Sequence, residues 1–280
     1  MINILYCGNE GVIDGVMTSV LSVLKRTTTR EPFSFYIFTM DLREVKPSYI
    51  PISARSAEYL DRYVKEYNPE NRVILKDVGA LYRSELLHCP NEDAYCSAYT
   101  LIRLLADMVD GIPDKLLYLD ADIMLNRDIR LLYKIPVGDV EYAAARDHYG
   151  KYLVSPNYVN AGVLLLNMKR IRETGLFIKA RKLLRERKML FADQSALIRS
   201  TSSRKMLPQR FNDQKFLHKS TVVRHFSKRL FYLPYPHTDN VKQWQVSRIH
   251  KIFGYYVFDD ILYEYLWLKR EYERSKENEQ

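Results

Sequence analysis

The chain lacks any apolar run approaching the roughly 18 residues needed to span a bilayer. It also lacks a Cys-x-x-Cys and any Cys/His spacing that would suit zinc. Its three cysteines, Cys7, Cys89 and Cys96, are an odd number, which argues against a disulfide framework and for reduced thiols in a cytoplasm. No internal repeat and no low-complexity linker interrupts it. At the start, Met1-Ile2-Asn3-Ile4-Leu5-Tyr6-Cys7 reads directly as a short strand and not as a charged region leading into a long apolar targeting segment. What is there is globular: 280 residues, 47% hydrophobic and 12% aromatic. That composition excludes a disordered or fibrous chain and suffices for one large core or two modest ones.

Charge is unevenly placed. From Lys169 to Leu230 there are 18 Lys/Arg against four acids, a net +14, which leaves −5 for the rest of a chain of net +9. Such a segment attracts nucleic acid, an anionic membrane face or phosphorylated substrates, or is simply a solvated helix face. Without a helix-turn-helix, RRM or zinc signature, a nucleic-acid partner is not expected.

Short apolar runs alternate with helical stretches through the first two-thirds, which predicts an α/β fold with a mostly parallel central sheet. Strands are expected at 2–7, 33–39, 73–78, 115–119, 141–146 and 162–167. Helices are expected near 15–25, 54–67 and 97–109, then at 171–188 and 193–199, before a further strand at 221–226. An aromatic stretch, Phe253–Trp267, precedes the charged tail. The expected organisation is a core over 1–205 and a C-terminal helical and aromatic appendage over 206–280. The aromatic stretch reads either as a buried helix or as a membrane-interface belt, with burial favoured.

Four stretches carry possible chemistry. In Lys115-Leu116-Leu117-Tyr118-Leu119-Asp120-Ala121-Asp122, an apolar strand runs into two aspartates separated by one residue. Extended backbone repeats every two residues, so both carboxylates can face one side and hold Mg²⁺ or Mn²⁺ together with phosphate oxygens. Among 18 aspartates about one Asp-x-Asp is expected by chance, so the pair carries weight through its place at a strand end, where ligands of open α/β sheets collect. The bland alternative is a solvated turn with a capping aspartate. Asn160-Ala161-Gly162 opens a second apolar strand, where Asn160 offers a donor and an acceptor suited to sugar hydroxyls. Asp193 fits a helix N-cap, and Gln194 beside it can face a ligand. His225 leaves an apolar strand, a position that becomes interesting if a two-carboxylate metal needs a third ligand.

These pieces, in this order, resemble the retaining glycosyltransferases of family 8. The resemblance rests on Asp120-Ala121-Asp122 after Leu-Leu-Tyr-Leu, Asn160-Ala161-Gly162-Val-Leu-Leu-Leu-Asn, Asp193-Gln194-Ser, Arg103 one helix before the Asp-x-Asp, and Arg210-Phe211-Asn212. It covers roughly residues 1 to 245. It implies a GT-A fold, a UDP-sugar (UDP-hexose) donor and a divalent cation, usually Mn²⁺. By motif position it puts the metal on Asp120, Asp122 and His225, with His237 as a rival to His225. It puts the donor on Cys7, Asn9, Arg103, Asp120, Ala121, Asp122, Asn160 and Ala161. It gives Gln194, Asp193 and Asp147 places at the reacting sugar, Gln194 on its β face. Lys228 or Lys242 would add positive charge at the diphosphate.

The chain departs from that pattern in two places. The turn Cys7-Gly8-Asn9-Glu10-Gly11-Val12 lacks the family's stacking tyrosine, and His-x-x-Gly-x-x-Lys-Pro-Trp is interrupted, with Lys242-Gln243-Trp244 as its displaced remainder. A catalytically silent nucleotide-sugar-binding relative is the second reading. The acceptor, a glycan or a lipid-linked sugar, would meet variable loops such as 80–95 and 148–158. The basic and aromatic segments would suit peripheral contact with an anionic inner membrane face.

Overall fold

The computed structural model describes residues 1–92, 97–231 and 235–277. Cys96 and part of the 80–95 loop lie outside them. The chain opens with β1 (Ile2–Cys7), α1 (Ile13–Arg26), β2 (Phe33–Thr39), α2 (Ala54–Tyr67), β3 (Arg72–Asp77) and α3 (Gly79–Glu85). A 3-10 helix, Ala98–Leu105, leads to β4 (Lys115–Leu119) and β5 (Ile123–Leu125). Then come α4 (Arg130–Tyr133), β6 (Tyr142–Ala145), α5 (Gly150–Leu153), β7 (Val163–Asn167), α6 (Met168–Thr174), α7 (Leu176–Glu186) and α8 (Ala192–Ser200). The last part holds β8 (Arg204–Leu207), β9 (Val223–His225), the hairpin β10 (Arg229–Phe231) and β11 (His237–Asp239), α9 (Val246–Phe253) and α10 (Asp259–Glu277).

Among the described residues seven strands form one sheet in the order β3-β2-β1-β4-β7-β6-β8. Only β7 runs against its neighbours, so the sheet is mostly parallel, as expected. Strand periodicity builds two cores. On one face β1 sends Ile2, Ile4 and Tyr6, β4 sends Leu117 and Leu119, and β7 sends Val163 and Leu165 against α1 and α10. On the other face Leu5 and Cys7, Leu116 and Tyr118, and Leu164 and Leu166 meet the 3-10 helix and α6 to α8. Each fully buried Leu or Val contributes about 1.5–3 kcal/mol, which is why this alternation fixes strand register.

Several local expectations give way. The single helix expected over 171–188 is two, because Gly175 adopts φ +67° and its N–H caps Ile171 O, ending α6. Within 97–109 the helix is 3-10 and shorter, Ala98–Leu105, capped by the Ser97 side chain. Asp193 is not an N-cap: α8 starts at Ala192 with Phe191 before it, so Asp193 lies in the first turn. The short elements α3, β5, β8 and the β10–β11 hairpin carry too few residues to show a period, and the sequence pattern did not mark them.

The C-terminal residues close the first core. Phe258, Ile261, Leu262 and Tyr265 are buried in it, and ion pairs Arg26–Asp260 (2.7 Å) and Lys269–Asp14 (2.6 Å) tie α10 to α1. The aromatic stretch thus divides, since Tyr256, Tyr263 and Trp267 stay exposed. Strand β8 runs across the 205/206 division. Part of the basic segment is neutralised by acids from elsewhere: Arg181 is buried against Glu85 and Asp107, and Arg172 pairs with Asp114. Among the described residues no helix is long and apolar enough to cross a membrane.

Candidate active site and metal centre

The C-terminal end of β4 releases Asp120, Ala121 and Asp122 at the sheet edge, where parallel strands leave their ligand crevice. Tyr118 and Asp120 share one face of the strand, and the Tyr118 hydroxyl donates to Asp120 Oδ1. Asp120 N–H continues the β4–β7 ladder to Gly162 O at 2.8 Å. Asp122 leads directly into β5, whose partner is β9, with Ile123 opposite His225. Phe226 N–H donates to Asp122 O at 2.8 Å. That strand pairing delivers His225, over a hundred residues away in sequence, to the aspartates.

Nε2 of His225 lies 3.0 Å from Asp122 Oδ1 and 3.7 Å from Asp120 Oδ2. One ligand atom from each of the three residues falls within 4.8 Å of the other two. Cis ligands around an octahedral ion with bonds of about 2.1 Å sit about 3 Å apart, so these separations fit a small divalent cation. The donor set of two carboxylates and an imidazole suits Mn²⁺ or Mg²⁺ and leaves further positions for phosphate oxygen. His237 is elsewhere, stacked on Phe231 in the β10–β11 hairpin with Nδ1 2.8 Å from Tyr235 O.

Gly162 makes the convergence possible. A Cβ there would lie 2.4 Å from His225 Cε1 and 2.7 Å from Asp120 Oδ2, closer than atoms pack. A hydrogen-bond chain then fixes the imidazole. His225 Nδ1 meets Asn212 Oδ1 at 3.0 Å, Asn212 Nδ2 donates to Asn160 Oδ1 at 2.8 Å, and Asn160 Nδ2 donates to Asp147 Oδ2 at 2.8 Å. The other Asp147 oxygen accepts from Tyr149 and Gly150 N–H at 3.0 and 2.6 Å. Asp147 is therefore occupied by the protein itself.

Arg103 is the buried cation of the site, 2% exposed. It approaches Asp120 Oδ1 at 3.3 Å and Asp193 Oδ2 at 3.2 Å, donates to Ala161 O, and stacks 4.1 Å over the Tyr118 ring. Its Nε hydrogen goes to Thr100 O at 2.7 Å, so the Asp193 contact is ionic, and Asp193 Oδ2 is a buried acceptor without a hydrogen bond. Burial pushes the Asp193 carboxyl above its ordinary pKa, more than Arg103 restores. The opposite holds at Asp122, where burial would raise the pKa but Lys242 and His225 hold it well below the carboxylate range. Gln194 uses its amide oxygen to accept Ala161 N–H at 3.0 Å.

Lys242 reaches the site from beyond β11, bonding Asp122 Oδ2 and Phe226 O. Lys228 is exposed in the link between β9 and β10 and does not line the cleft. A cavity of 190 Å³ extends from the aspartates past Cys7, Gly8, Asn9 and Val12 of the β1–α1 turn, with Ser97, Thr100, Lys242 and Trp244 in its walls. The site thus assembles Cys7, Asn9, Arg103, Asp120, Ala121, Asp122, Asn160, Ala161, Asp193, Gln194, His225 and Lys242. Tyr118 was not singled out from sequence, although its two-residue offset from Asp120 was an available signal; Asn212 was marked as part of the Arg210-Phe211-Asn212 landmark, but its contact with His225 was not foreseen.

A model of glycosyl transferase family 8 matches residues 3–228. Among named relatives, a protein of Haemophilus influenzae carrying the name glycosyltransferase is 24% identical over 199 residues, 64% of this chain and 52% of its own length. The glycosyltransferase GlyA of Streptococcus pneumoniae is 25% identical over 165 residues, 59% of this chain and 20% of its own. The chain therefore spans about half or less of these relatives. Among solved structures, the bifunctional glycosyltransferase WbbM superposes with a TM-score of 0.69 at 16% identity, over 98% of this chain and 51% of that one. The galactosyltransferase LgtC, in complex with donor and acceptor sugar analogues, superposes at 0.62 with 17% identity, over 94% and 96%. These structures share the GT-A type of fold, and with the family match across most of its length the chain belongs to glycosyl transferase family 8.

Proposed function

We propose that this glycosyltransferase is divalent-cation-dependent and retaining, moving a hexose from a UDP-sugar to a glycan or a lipid-linked acceptor. The observation that carries the reading is the convergence of Asp120, Asp122 and His225, with Lys242 beside them, at one end of a cleft. With His225 neutral, three buried or half-buried carboxylates, Asp120, Asp122 and Asp193, stand against two cations, Arg103 and Lys242. That balance favours a further cation, and the donor set suits Mn²⁺ or Mg²⁺.

Bound there by Asp120, Asp122 and His225, the ion supplies Lewis-acid stabilisation of charge on a departing diphosphate. The chain's own residues do the rest. Lys242 brings an ammonium to the phosphate end of the cleft. Asp193 Oδ2, buried and without a hydrogen-bond donor, is suited to a sugar hydroxyl. Gln194 borders the sugar position, and its oxygen is already held by Ala161 N–H. An amide is a poor nucleophile, so a covalent glycosyl intermediate on Gln194 is disfavoured and attack from the leaving-group face follows.

Two measurements test this reading. A screen of nucleotide sugars with and without Mn²⁺, scored by release of free UDP, should find turnover only with cation present. NMR of the fresh product should find the anomeric configuration of the donor retained. Metal-independent turnover, or an inverted product, refutes it. UDP binding without turnover of any donor would support the silent-relative reading.

A further inference from the structure

Resting on the nucleotide-sugar reading, the geometry points to Trp244 as the aromatic surface on which the base of the nucleoside diphosphate lies. The cleft has three aromatic residues in its walls among the described residues: Tyr99, Tyr118 and Trp244. Tyr99 and Tyr118 are only 4% and 1% exposed, and their hydroxyls are committed to Met40 O and Asp120. Trp244 is half-buried. It therefore presents the aromatic surface a ligand can reach, beside Val12 and Asn9 of the β1–α1 turn.

The ring is held in place before any ligand arrives. The preceding residue, Gln243, is fully buried. Its amide donates to Ala121 O at 2.7 Å and Thr18 Oγ1 at 3.1 Å, pinning this strand of chain to the loop between the two metal-binding aspartates. The ring edge seats against α1 where Gly15 stands, because a Cβ at that position would lie 2.6 Å from Trp244 Cζ3. Lys242, one residue earlier still, bonds Asp122. One three-residue run thus carries a cation at the phosphate end and a rigid aromatic ring next to it. A ligand with a diphosphate at the aspartates and a flat base beyond it would meet the cation and the ring within the same cavity. A pre-fixed ring loses little entropy on stacking.

The chain has two tryptophans, Trp244 and Trp267, and Trp267 is exposed on α10. In a Trp267→Phe background only Trp244 reports. With Mg²⁺ as the cation, UDP should change its fluorescence saturably, and inorganic pyrophosphate should change it far less. By calorimetry, Trp244→Leu should weaken UDP binding about tenfold, in the range of one base stacked on one aromatic ring. The same variant should bind pyrophosphate within twofold of the parent, and Trp244→Phe should recover part of the loss. A ring acting only as a structural wedge would lower both affinities together, which overturns the inference. UDP binding equal in Trp244→Leu and parent, with silent fluorescence, overturns it while leaving the donor reading intact. No UDP binding by the parent protein overturns both.

Discussion

His225 Nδ1 lies 3.0 Å from the side-chain oxygen of Asn212, so the imidazole donates there and turns Nε2 toward the two aspartates, where an unprotonated Nε2 can ligate a cation. Both groups are buried, with His225 3% and Asn212 0% exposed, so bulk water does not compete for this contact. Orienting partners of this kind are worth about 10- to 100-fold in metal affinity. Asn212→Ala should therefore weaken Mn²⁺ binding by about that factor, while Asn212→Asp, which keeps the acceptor, should bind at least as well as the parent. Manganese titration followed by electron paramagnetic resonance reads both. Unchanged affinity in Asn212→Ala would remove the orienting role.

Gly162→Ala isolates the close approach at the end of β4. The added methyl would sit 2.4 Å from the His225 ring and 2.7 Å from Asp120 Oδ2, so one of the two must move. Since β7 itself is intact on both faces, the expected result is a folded protein with a small drop in Tm and at least a tenfold loss of Mn²⁺ affinity. Metal binding equal to the parent would show that the three side chains do not meet as described.

Asp120→Asn or Asp122→Asn removes one anionic ligand without changing shape. Loss of about 3 kcal/mol or more of transition-state stabilisation is expected, over a hundredfold in turnover, with the circular dichroism spectrum retained. A variant within threefold of the parent in UDP release would contradict the assignment.

The parts of this site that could be read from sequence are those where chemistry and local periodicity coincide. Asp120 and Asp122 follow a five-residue strand and were marked by their spacing at its end, although Ala121 and Asp122 form a turn there and not the extended continuation that strand parity assumes. His225 was a candidate because it leaves an apolar strand, but its delivery depends on the three-residue pairing of β5 with β9, too short to show a pattern. Asn212 and Gln243 act only through space, on groups 13 and more than a hundred residues away. The break at Gly175 does leave a trace in the sequence: on one continuous helix Ile171 would face away from Leu176, Phe177, Ala180 and Leu184, and Gly175 at φ +67° is where the phase changes.

Glu264 gives the fold a pH dependence apart from the active site. Burial would raise its pKa, but Lys25, Tyr63 and Tyr67 bond the carboxylate and bring it below the ordinary glutamate value. A carboxylate with a depressed folded pKa stabilises the protein above its unfolded pKa of about 4.3, and the contribution is lost as pH falls through the folded value. The group is partly solvated, so the gain is about 1 kcal/mol or less. Glu264→Gln should lower Tm by about 2–4 °C at pH 7, and the gap to the parent should close below about pH 4. A gap that persists in acid would mean that shape at this position, and not charge, holds α10 against α1 and α2.

Arg103 is the sharpest test of how the buried charges are balanced. Its guanidinium touches Asp120, Asp193, Ala161 O and Thr100 O at once, a spread that only a planar fork covers. An ammonium is a point charge and reaches some of these groups but not all. Arg103→Met leaves Asp193 buried and unpaired, which costs about 3–5 kcal/mol. Arg103 is the main group opposing the burial-driven rise of the Asp193 pKa, so its removal raises that pKa further. A carboxyl whose folded pKa is raised binds its proton more tightly in the native state, so its destabilisation is relieved as pH falls. Arg103→Met should therefore show its largest Tm deficit, about 10 °C or more, at pH 7 and a smaller one near pH 4. Arg103→Lys should fall between, with charge retained but hydrogen bonds lost. A deficit independent of pH in Arg103→Met would mean that the side chain matters for its bulk, and that Asp193 is not the charge it holds.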